Sequence, residues 1–284
     1  MTIFNPYAGA NGRWYRGGLH AHTRRSDGEL EPAALVDLYA AAGYEWLGVA
    51  DHDCLTTFEH PRVLCVPAVE VTASGPHMLA VGIGQAPDPR WDRPTLARRL
   101  VDAGVLTILN HPNWGTDFDH WPHATLEAVQ RAHGLEVFNT VVDRLEGSAY
   151  ALDRWDRLLS KGRRLWGFAN DDFHHRGDGP RAANVVCCEA LSVAAVVAAL
   201  KAGRFYATTG VAIERIALTK ETLGIHAPGA DHVRFVGRHG RTLAARDACA
   251  GEYRVRPEDD YVRVECWGPG HRAAFTQPLF VEAA

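Results

Sequence analysis

The chain has 284 residues, with 30 Lys and Arg against 34 Asp and Glu and a formal net charge of −4. This length is enough for one large domain, or for one large domain with a small one. Charge is nearly balanced and shows no long run of one sign, so we expect neither a nucleic-acid-binding patch nor a polybasic membrane patch. The expected partner is a small molecule.

The first ten residues have neither a basic start nor an apolar centre, so they do not resemble a secretory signal. The longest apolar stretch, near residues 192–200, is too short to span a bilayer. Six cysteines are scattered without a CxxC pair or a zinc-finger spacing, which predicts reduced thiols. We therefore expect a cytoplasmic protein without membrane spans, and the oligomeric state stays open.

Short apolar runs alternate with helical patterns over the first two hundred residues, which is typical of an α/β fold. The apolar runs predict strands at residues 14–19, 46–50, 63–69, 78–83, 105–109, 135–138, 165–169, 184–188 and 205–208. Helical patterns predict helices at residues 32–42, 94–103, 124–133, 148–160 and 192–202. The first helix has Pro32 in its first turn and stops at Gly43.

The pattern changes after Thr209. Short alternating runs follow, broken by glycine and proline, at residues 212–218, 232–236, 253–256 and 261–267. We therefore predict a large α/β domain over residues 1–208 and a small β domain over residues 209–284.

Two histidines, His20 and His22, stand two residues apart where the first predicted strand of the α/β region ends. Residues at this spacing point the same way on a strand, so both imidazoles can bind one ion. Such a pair alone is weak evidence for a metal site, because histidines with an ordinary surface or core role are about as common in this pattern. The neighbouring residues strengthen it: Asp27 lies in a Ser-Asp-Gly turn, and His52 follows directly on the next strand.

Further metal-binding residue types follow later strands. Glu70 ends an apolar run, His77 begins the next, His111 precedes a proline at a strand end, and Asp172 and His174 follow another strand. Buried carboxylates and imidazoles require partners, so a purely structural protein would rarely carry so many of them at strand ends. The carboxyl ends of barrel strands are where active sites form. The pattern predicts a polynuclear metal site.

Together these residues resemble the PHP family, named for polymerase and histidinol phosphatase domains. The resemblance covers about residues 14–208 and includes the His-x-His opening, the Ser-Asp-Gly turn, the Asp-His pair, the strand-end glutamate, the His-Pro dipeptide and the Asp-x-His close. The Asn5-Pro6 segment, residues 203–210 and the trailing β unit are similar to the carbaryl-hydrolase-like branch of metallohydrolases.

The resemblance implies a distorted (β/α)7 TIM-like barrel with two or three divalent ions. Mixed histidine and carboxylate ligands are compatible with Mn²⁺, Fe²⁺ or Zn²⁺. By the same resemblance, the first ion would be held by His20, His22, Glu70 and Asp172, the second by Glu70, His77 and His111, and the third by Asp27, His52 and His174.

The implied activity is that of a metal-dependent phosphoesterase, which hydrolyses a small phosphate mono- or diester through a metal-bridging hydroxide. Three carboxylates do not neutralise three divalent ions, so an anionic substrate is expected. Two alternatives stay open. One is a metal-dependent hydrolase of a carbamate, carboxylic ester or amide, and the other is a non-catalytic metal-binding module, against which the intact ligand set argues.

Two residues beside the expected ligands are candidates for catalytic roles. His175 is the candidate general acid, although a supporting role for a ligand is as common at such a position. Asp51 is the candidate for orienting a ligand imidazole, and its alternative role is to cap the following loop.

Arginines near the ligands are candidates for binding phosphate, because a guanidinium matches phosphate oxygens in a fork. They are Arg24, Arg25, Arg176 and Arg181, each of which alone would be ordinary in a solvated loop. Residues 114–123, which include His120 and Trp121, are predicted to form either a loop over the pocket or an ordinary surface loop.

Overall fold

The fold combines helices with one large sheet of 15 strands and a separate sheet of three. The computed structural model describes residues 1–282. The strands are β1 (Thr2–Phe4), β2 (Arg13–Gly18), β3 (Trp46–Val49), β4 (Leu64–Val71), β5 (Met78–Val81), β6 (Leu106–Leu109), β7 (Gly134–Asn139), β8 (Trp166–Asn170), β9 (Ala183–Cys188), β10 (Phe205–Thr208), β11 (Arg215–Thr219), β12 (Thr222–His226), β13 (His232–Gly237), β14 (Arg241–Arg246), β15 (Ala250–Arg254), β16 (Tyr261–Trp267), β17 (Ala273–Thr276) and β18 (Leu279–Glu282). The helices are α1 (Pro32–Ala41), α2 (Arg93–Asp102), α3 (His123–Ala128), α4 (Leu152–Leu159) and α5 (Val193–Lys201).

The central part of the large sheet has the strand order β9-β2-β3-β4-β5-β6-β7-β8. Most neighbours are parallel, but β5 is antiparallel to β4 and β6, and β9 is antiparallel to β2. A (β/α) barrel of the kind that the sequence resemblance implies has parallel strands. The connection from β4 to β5 is too short for the crossover that a parallel pair needs, so β5 returns in the opposite direction. This reversal places the start of β5 beside the ends of its neighbours.

Asparagine side chains link the two ends of this strand order, where the described residues form no regular strand pairing. Asn184, in β9, donates from its side-chain amide to the carbonyl of Ala169 at 2.9 Å and to the side-chain oxygen of Asn170 at 3.0 Å. Beyond the strand ends, Ala21 and Phe173 form an isolated parallel bridge. All these groups are buried, so these hydrogen bonds pair polar groups that no strand ladder pairs at this place.

Two helices are shorter than their sequence periodicity predicts. Helix α3 ends early because His133 pairs with the start of β6: its backbone amide donates to Thr107 O at 2.9 Å, and its Nδ1 accepts from Thr107 N at 3.1 Å. Helix α4 begins late because Ser148 N donates to Asn113 O at 2.9 Å. In both places a contact with a distant segment prevails over local helical preference.

The C-terminal strands continue the large sheet across the predicted boundary between residues 208 and 209. Strand β10 pairs with β17, and β1 pairs with β18, while β11, β12 and β15 form the separate sheet. Arg263, in β16, is buried and donates from Nε to Asp156 Oδ1 at 2.8 Å and from Nη1 to Glu265 Oε1 at 2.7 Å. Because Asp156 belongs to α4, this ion pair joins the C-terminal β region to the α/β part.

Among the helices of residues 1–282, none combines the length and the apolar character that a bilayer crossing requires.

Candidate metal centre

The site lies at one end of the central strands, where the carboxyl ends of β2, β3, β6 and β8 meet. His20, His52 and His111 follow three of these strands within a few residues, and Glu70 lies near the end of β4. His77 directly precedes β5, and because β5 is antiparallel its start lies at this same end. The reversed strand therefore adds a ligand-type side chain that a parallel strand would place at the other end.

Glu70 is the centre of the site. It is fully buried, and imidazole nitrogens surround both of its carboxylate oxygens. Oε1 lies 3.1 Å from His20 Nε2, 3.2 Å from His77 Nδ1 and 3.3 Å from His111 Nε2, and Oε2 lies 2.9 Å from His52 Nδ1 and 3.5 Å from His22 Nε2. A carboxylate in this position can bridge two cations.

A first group of donors joins Glu70 to Asp172. Asp172 Oδ1 lies 3.0 Å from His22 Nε2 and 3.1 Å from His20 Nε2. One donor atom of each of these four residues lies within 4.8 Å of the others, and all four residues are buried. This is the composition expected for the first ion.

A second group is centred on Asp27, on the open side of the site. Asp27 Oδ2 lies 3.2 Å from His52 Nε2, and Oδ1 lies 3.4 Å from His174 Nε2 and 3.9 Å from His22 Nδ1. His22 therefore faces both groups, one with each ring nitrogen. This group contains the three residues expected for the third ion, and adds His22 to them.

A third group brings His77 and His111 together with His120. The sequence placed His120 in a loop and did not identify it as a site residue. Its Nε2 accepts the backbone amide of His77 at 2.9 Å. Burial, with His111 and His77 nearby, lowers the pKa of His120 to about 2. No strand-end spacing marks this residue, because it reaches the site through a loop that folds back.

Unpartnered polar atoms at the centre test whether these residues fit metal ions. His20 Nε2, His52 Nδ1 and Glu70 Oε2 are buried, and although they lie close to one another's side chains, none makes a contact with hydrogen-bond geometry within residues 1–282. Leaving a buried polar atom unpaired costs about 1–3 kcal/mol. Nitrogen and oxygen donors that converge without satisfying one another fit a divalent cation of the Mn²⁺, Fe²⁺ or Zn²⁺ type. The residues present therefore fit a metal site.

The protonation of the site follows from its close charges. Burial by itself would raise the pKa of Glu70, but the imidazoles of His20 and His77 hold it well below the usual range. Asp172 behaves alike: burial opposes ionisation, and His20 and His22 lower its pKa. Burial lowers the pKa of His20, but Asp172 and Glu70 raise it well above its ordinary value. The same carboxylates would hold a divalent ion in place of these protons.

Glu136 contacts two of the candidate ligand residues, His20 and His111, and is not among the residues predicted from the sequence. Its Oε1 lies 2.7 Å from His20 Nδ1, and its Oε2 accepts the backbone amide of His111 at 2.8 Å. Asn110 makes a similar contact, donating from Nδ2 to Glu70 Oε1 at 2.7 Å. The available signal was a charged residue inside an otherwise apolar strand, β7. Such partners orient ligand imidazoles.

Asp51 does not contact a ligand imidazole, contrary to the role expected for it. It accepts hydrogen bonds from Thr23 N and Thr23 Oγ1, both at 2.7 Å, from Ser26 Oγ at 2.8 Å and from Thr56 Oγ1. These contacts close the turn that carries Asp27. Asp51 therefore positions a carboxylate ligand through the backbone rather than orienting a histidine.

A cavity of about 280 Å³ opens above the centre. Seven of the nine candidate ligands line it, and the other lining residues are Trp114, Val141, Val142, Arg144, Leu145 and His175. The His175 side chain is 59% exposed, with Nδ1 3.6 Å from Glu29 Oε2. It stands at the solvent-exposed edge of the cavity.

None of the four arginines expected to bind phosphate lines this cavity. All four are exposed, and three of them turn toward oxygens elsewhere on the surface. Arg24 Nε donates to Glu29 O at 2.8 Å, Arg176 Nε lies 3.8 Å from Glu29 Oε1, and Arg181 Nη2 lies 3.3 Å from Asp143 Oδ2. These arginines are near candidate metal ligands in the sequence, but their side chains lie outside the cavity.

Arg144 is the arginine that does line the cavity. Its Nε and Nη2 both donate to Asp178, the second at 3.0 Å, and Nη1 has no partner among the described residues. Buried Asp178 also accepts the backbone amides of His174 at 3.0 Å and His175 at 2.7 Å. The guanidinium is thereby held in a defined position next to a ligand segment.

Comparisons with known proteins show likeness at the level of the fold. No protein-family model and no curated protein matches the chain. A crystal structure from Bacteroides vulgatus, of a two-domain protein containing a predicted PHP-like metal-dependent phosphoesterase, superposes with a TM-score of 0.56 at 18% identity. The match covers 96% of this chain and 88% of that one.

Two further solved structures share less. The lesion-specific endonuclease EndoQ of Pyrococcus furiosus has a TM-score of 0.48 at 14% identity, covering 66% of this chain and 56% of its own. An amidohydrolase from Chromobacterium violaceum, with bound sulfate and no metal, has a TM-score of 0.36 at 17% identity, covering 57% and 88%. The chain shares its fold, over nearly its whole length, with the two-domain protein that contains a predicted PHP-like metal-dependent phosphoesterase.

Proposed function

We propose that the protein is a metal-dependent hydrolase of the PHP family that cleaves a small phosphate mono- or diester. The observation that carries the proposal is Glu70, buried among five imidazoles with unpartnered donor atoms, at the base of an open cavity. The fold shared with a protein containing a PHP-like domain supports it, and a distorted (β/α)7 barrel is part of the proposal. We also propose that the protein belongs to the carbaryl-hydrolase-like branch, and the β-rich region after residue 208 supports this assignment.

Nine residues would hold three ions, with Glu70 shared between two of them. The buried group of His20, His22, Glu70 and Asp172 would bind one ion, Glu70 with His77 and His111 a second, and Asp27 with His52 and His174 a third. His120 lies close enough to the second group to support His77. Bound divalent ions lower the pKa of coordinated water and neutralise charge that develops on a phosphoryl group.

The protein's own groups would orient the substrate and move a proton. Arg144, fixed by Asp178, lines the cavity and would bind a phosphoryl oxygen. His175 stands at the solvent edge and would donate a proton to the leaving oxygen. Both would act on an anionic ester, and the cationic Arg144 gives a neutral ester no comparable advantage.

A second candidate is the hydrolysis of a carbamate, carboxylic ester or amide. The specific observation in its favour is that Trp114, Val141, Val142 and Leu145 line the cavity, since such walls suit uncharged substrates. The third candidate function is that of a module that binds metal ions without catalysing a reaction.

We also propose a cytoplasmic location, supported by the absence of disulfides among the six cysteines, all of which are described.

Turnover by the Mn²⁺-loaded protein would test these candidates. The panel contains nitrophenyl phosphate mono- and diesters, nitrophenyl carboxylic esters and naphthyl carbamates, with bound metal counted in the same sample. We expect phosphate-selective turnover, lost together with metal in His20→Ala and Asp172→Ala and retained in the remote control His226→Ala. Selective turnover of carbamates or carboxylic esters would overturn the phosphoesterase in favour of the second candidate. Full metal without any turnover would favour the binding module.

A further inference from the structure

The cavity has two chemically different sides. The candidate metal ligands form its base, and Trp114, Val141, Val142 and Leu145 form a wall, here called the apolar wall. Leu145 is 38% exposed, which is unusual for a large apolar side chain in this protein. The phosphoester chemistry proposed above uses the base and Arg144, and leaves the apolar wall without a role.

The first part of the apolar wall is a turn tied to the end of β8. The backbone amide of Thr140 donates to Asn170 O at 2.9 Å, and that of Val141 donates to Asp171 O at 3.0 Å. Val141 and Val142 are nearly fully buried in consequence. Their positions relative to the metal ligands are therefore set by the sheet.

The second part is Trp114, which packs among the histidines. Its ring centroid lies 5.6 Å from that of His77, 5.2 Å from His111 and 4.8 Å from His120. Such aromatic contacts hold the indole ring beside the ligands. Trp114 thus presents an apolar surface at the boundary between the base and the open cavity.

The loops that carry Trp114 and Leu145 pair with each other. Trp114 and Gly147 form an antiparallel bridge, and Gly115 N donates to Glu146 O at 2.9 Å. The pairing converts two loops from the ends of β6 and β7 into one braced unit. An apolar surface braced in this way is ready to receive a ligand without reorganising.

We infer that the organic group of the ester is compact and apolar, and that it packs on the apolar wall while its charged group faces the metal ligands and Arg144. The inference rests on the proposed phosphoesterase function and names its substrate class. A cavity of about 280 Å³ lies at the small end of ligand pockets, which suits a single ring or a short branched chain beside one phosphate. Leu145 determines specificity in this arrangement, because substrate contact covers its exposed surface.

Binding of two phosphonates to the Mn²⁺-loaded protein tests the inference without turnover. Benzylphosphonate and methylphosphonate carry the same charged group and differ in apolar bulk. We expect the benzyl compound to bind tighter by roughly tenfold or more, and Leu145→Asn to remove most of that ratio. Leu145→Met should keep it. The control Trp91→Ser changes an apolar residue that is equally exposed, at 40%, but lies outside the cavity, and should also keep it.

Rates with two phosphate esters provide a second readout. Benzyl phosphate and glycerol 2-phosphate are both esters of ordinary alcohols, and kcat/KM should favour the benzyl ester, with the preference lost through KM in Leu145→Asn. Equal binding of both phosphonates, unaffected by Leu145→Asn, would overturn the inference while the phosphoesterase stands. Failure of both phosphonates to bind, with no phosphate ester turned over, would instead overturn the proposed function itself.

Discussion

His20 Nδ1 lies 2.7 Å from Glu136 Oε1, with both side chains fully buried. This contact determines which ring nitrogen of His20 faces Glu70 and Asp172. It also explains why an acidic residue interrupts the apolar strand β7.

Replacing Glu136 should therefore weaken metal binding without altering a candidate ligand. We expect Glu136→Gln to lower Mn²⁺ affinity by roughly 10- to 100-fold, because His20 loses its orienting carboxylate. Calorimetric titration of the metal-free protein measures it. The exposed control Glu252→Gln should bind Mn²⁺ as the unaltered protein does, and equal affinity in both variants would contradict the supporting role of Glu136.

The buried ion pair between Arg263 and Asp156 should contribute strongly to stability. We expect Arg263→Met to lower the free energy of unfolding by about 3–5 kcal/mol, because it leaves buried Asp156 without its charge partner and leaves Glu265 paired with Arg234 alone. Urea unfolding measures the loss. The control Arg254→Met breaks an exposed pair with Glu221 and should cost no more than about 1 kcal/mol. Similar losses in both variants would show that the buried network has no special weight.

Tyr7 joins the start of the chain to β10 and to the segment between β17 and β18. Its hydroxyl donates to Phe205 O at 3.0 Å and accepts from Gln277 N at 2.6 Å. Tyr7→Phe leaves both backbone groups unpaired, so unfolding free energy should fall by about 1–3 kcal/mol. The control is Tyr15→Phe, whose hydroxyl has no hydrogen bond within residues 1–282, and it should change stability by less. An unaffected urea midpoint in Tyr7→Phe would contradict this.

His133 should make stability depend on pH. Burial, with Lys201 and Arg131 nearby, lowers its pKa to about 4 in the folded protein, below the ordinary value near 6.5. Folding therefore favours the neutral ring: its contribution is complete above pH 6.5 and is lost as pH falls toward 4. Its Nδ1 accepts from Thr107 N, an interaction that an asparagine oxygen can replace without titrating.

The measurement compares unfolding free energies of the unaltered protein and His133→Asn at pH 7 and pH 4.5. The unaltered protein should lose on the order of 1–2 kcal/mol more than the variant over this range. Because the site histidines are present in both proteins, their titration cancels in the difference. Parallel pH profiles would refute the assignment to His133.

Gly147 allows the two loops of the apolar wall to approach. Its φ is +113°, and a Cβ at this position would lie 2.2 Å from Asn113 O. Gly147→Ala should therefore displace Leu145 and Trp114 and raise KM for benzyl phosphate several-fold, roughly 3- to 10-fold. Gly162→Ala is the matched control, since it also has positive φ but an open surrounding. Equal KM values in the two variants would show that loop pairing does not shape the cavity.

Parts of this structure followed directly from local sequence. The strands from β2 to β10 and helix α1 were predicted because apolar runs and helix-start and helix-stop residues act over short distances. The residues that surround Glu70 were also predicted, because strand ends are visible in a sequence and His and carboxylate side chains there need partners. Strands β1, β12, β14, β17 and β18 carry weaker patterns and were not predicted.

Other features depend on contacts between distant segments. The reversal of β5, the approach of His120 to His77, and the support of His20 by Glu136 each join residues far apart in the chain. The arginine candidates show the same limit: Arg24, Arg25, Arg176 and Arg181 are near ligands in sequence, yet the cavity is lined by Arg144.

The sequence by itself determined which types of metal-binding side chain are present, because side-chain identity at strand ends dictates them. Only the tertiary structure decided which of these side chains converge, which residues orient them and which side chains line the cavity beside them. The physical reason is that the local sequence fixes where a strand ends and which side chain stands there. The directions of neighbouring strands and the pairing of distant loops fix which other side chains come into contact with it.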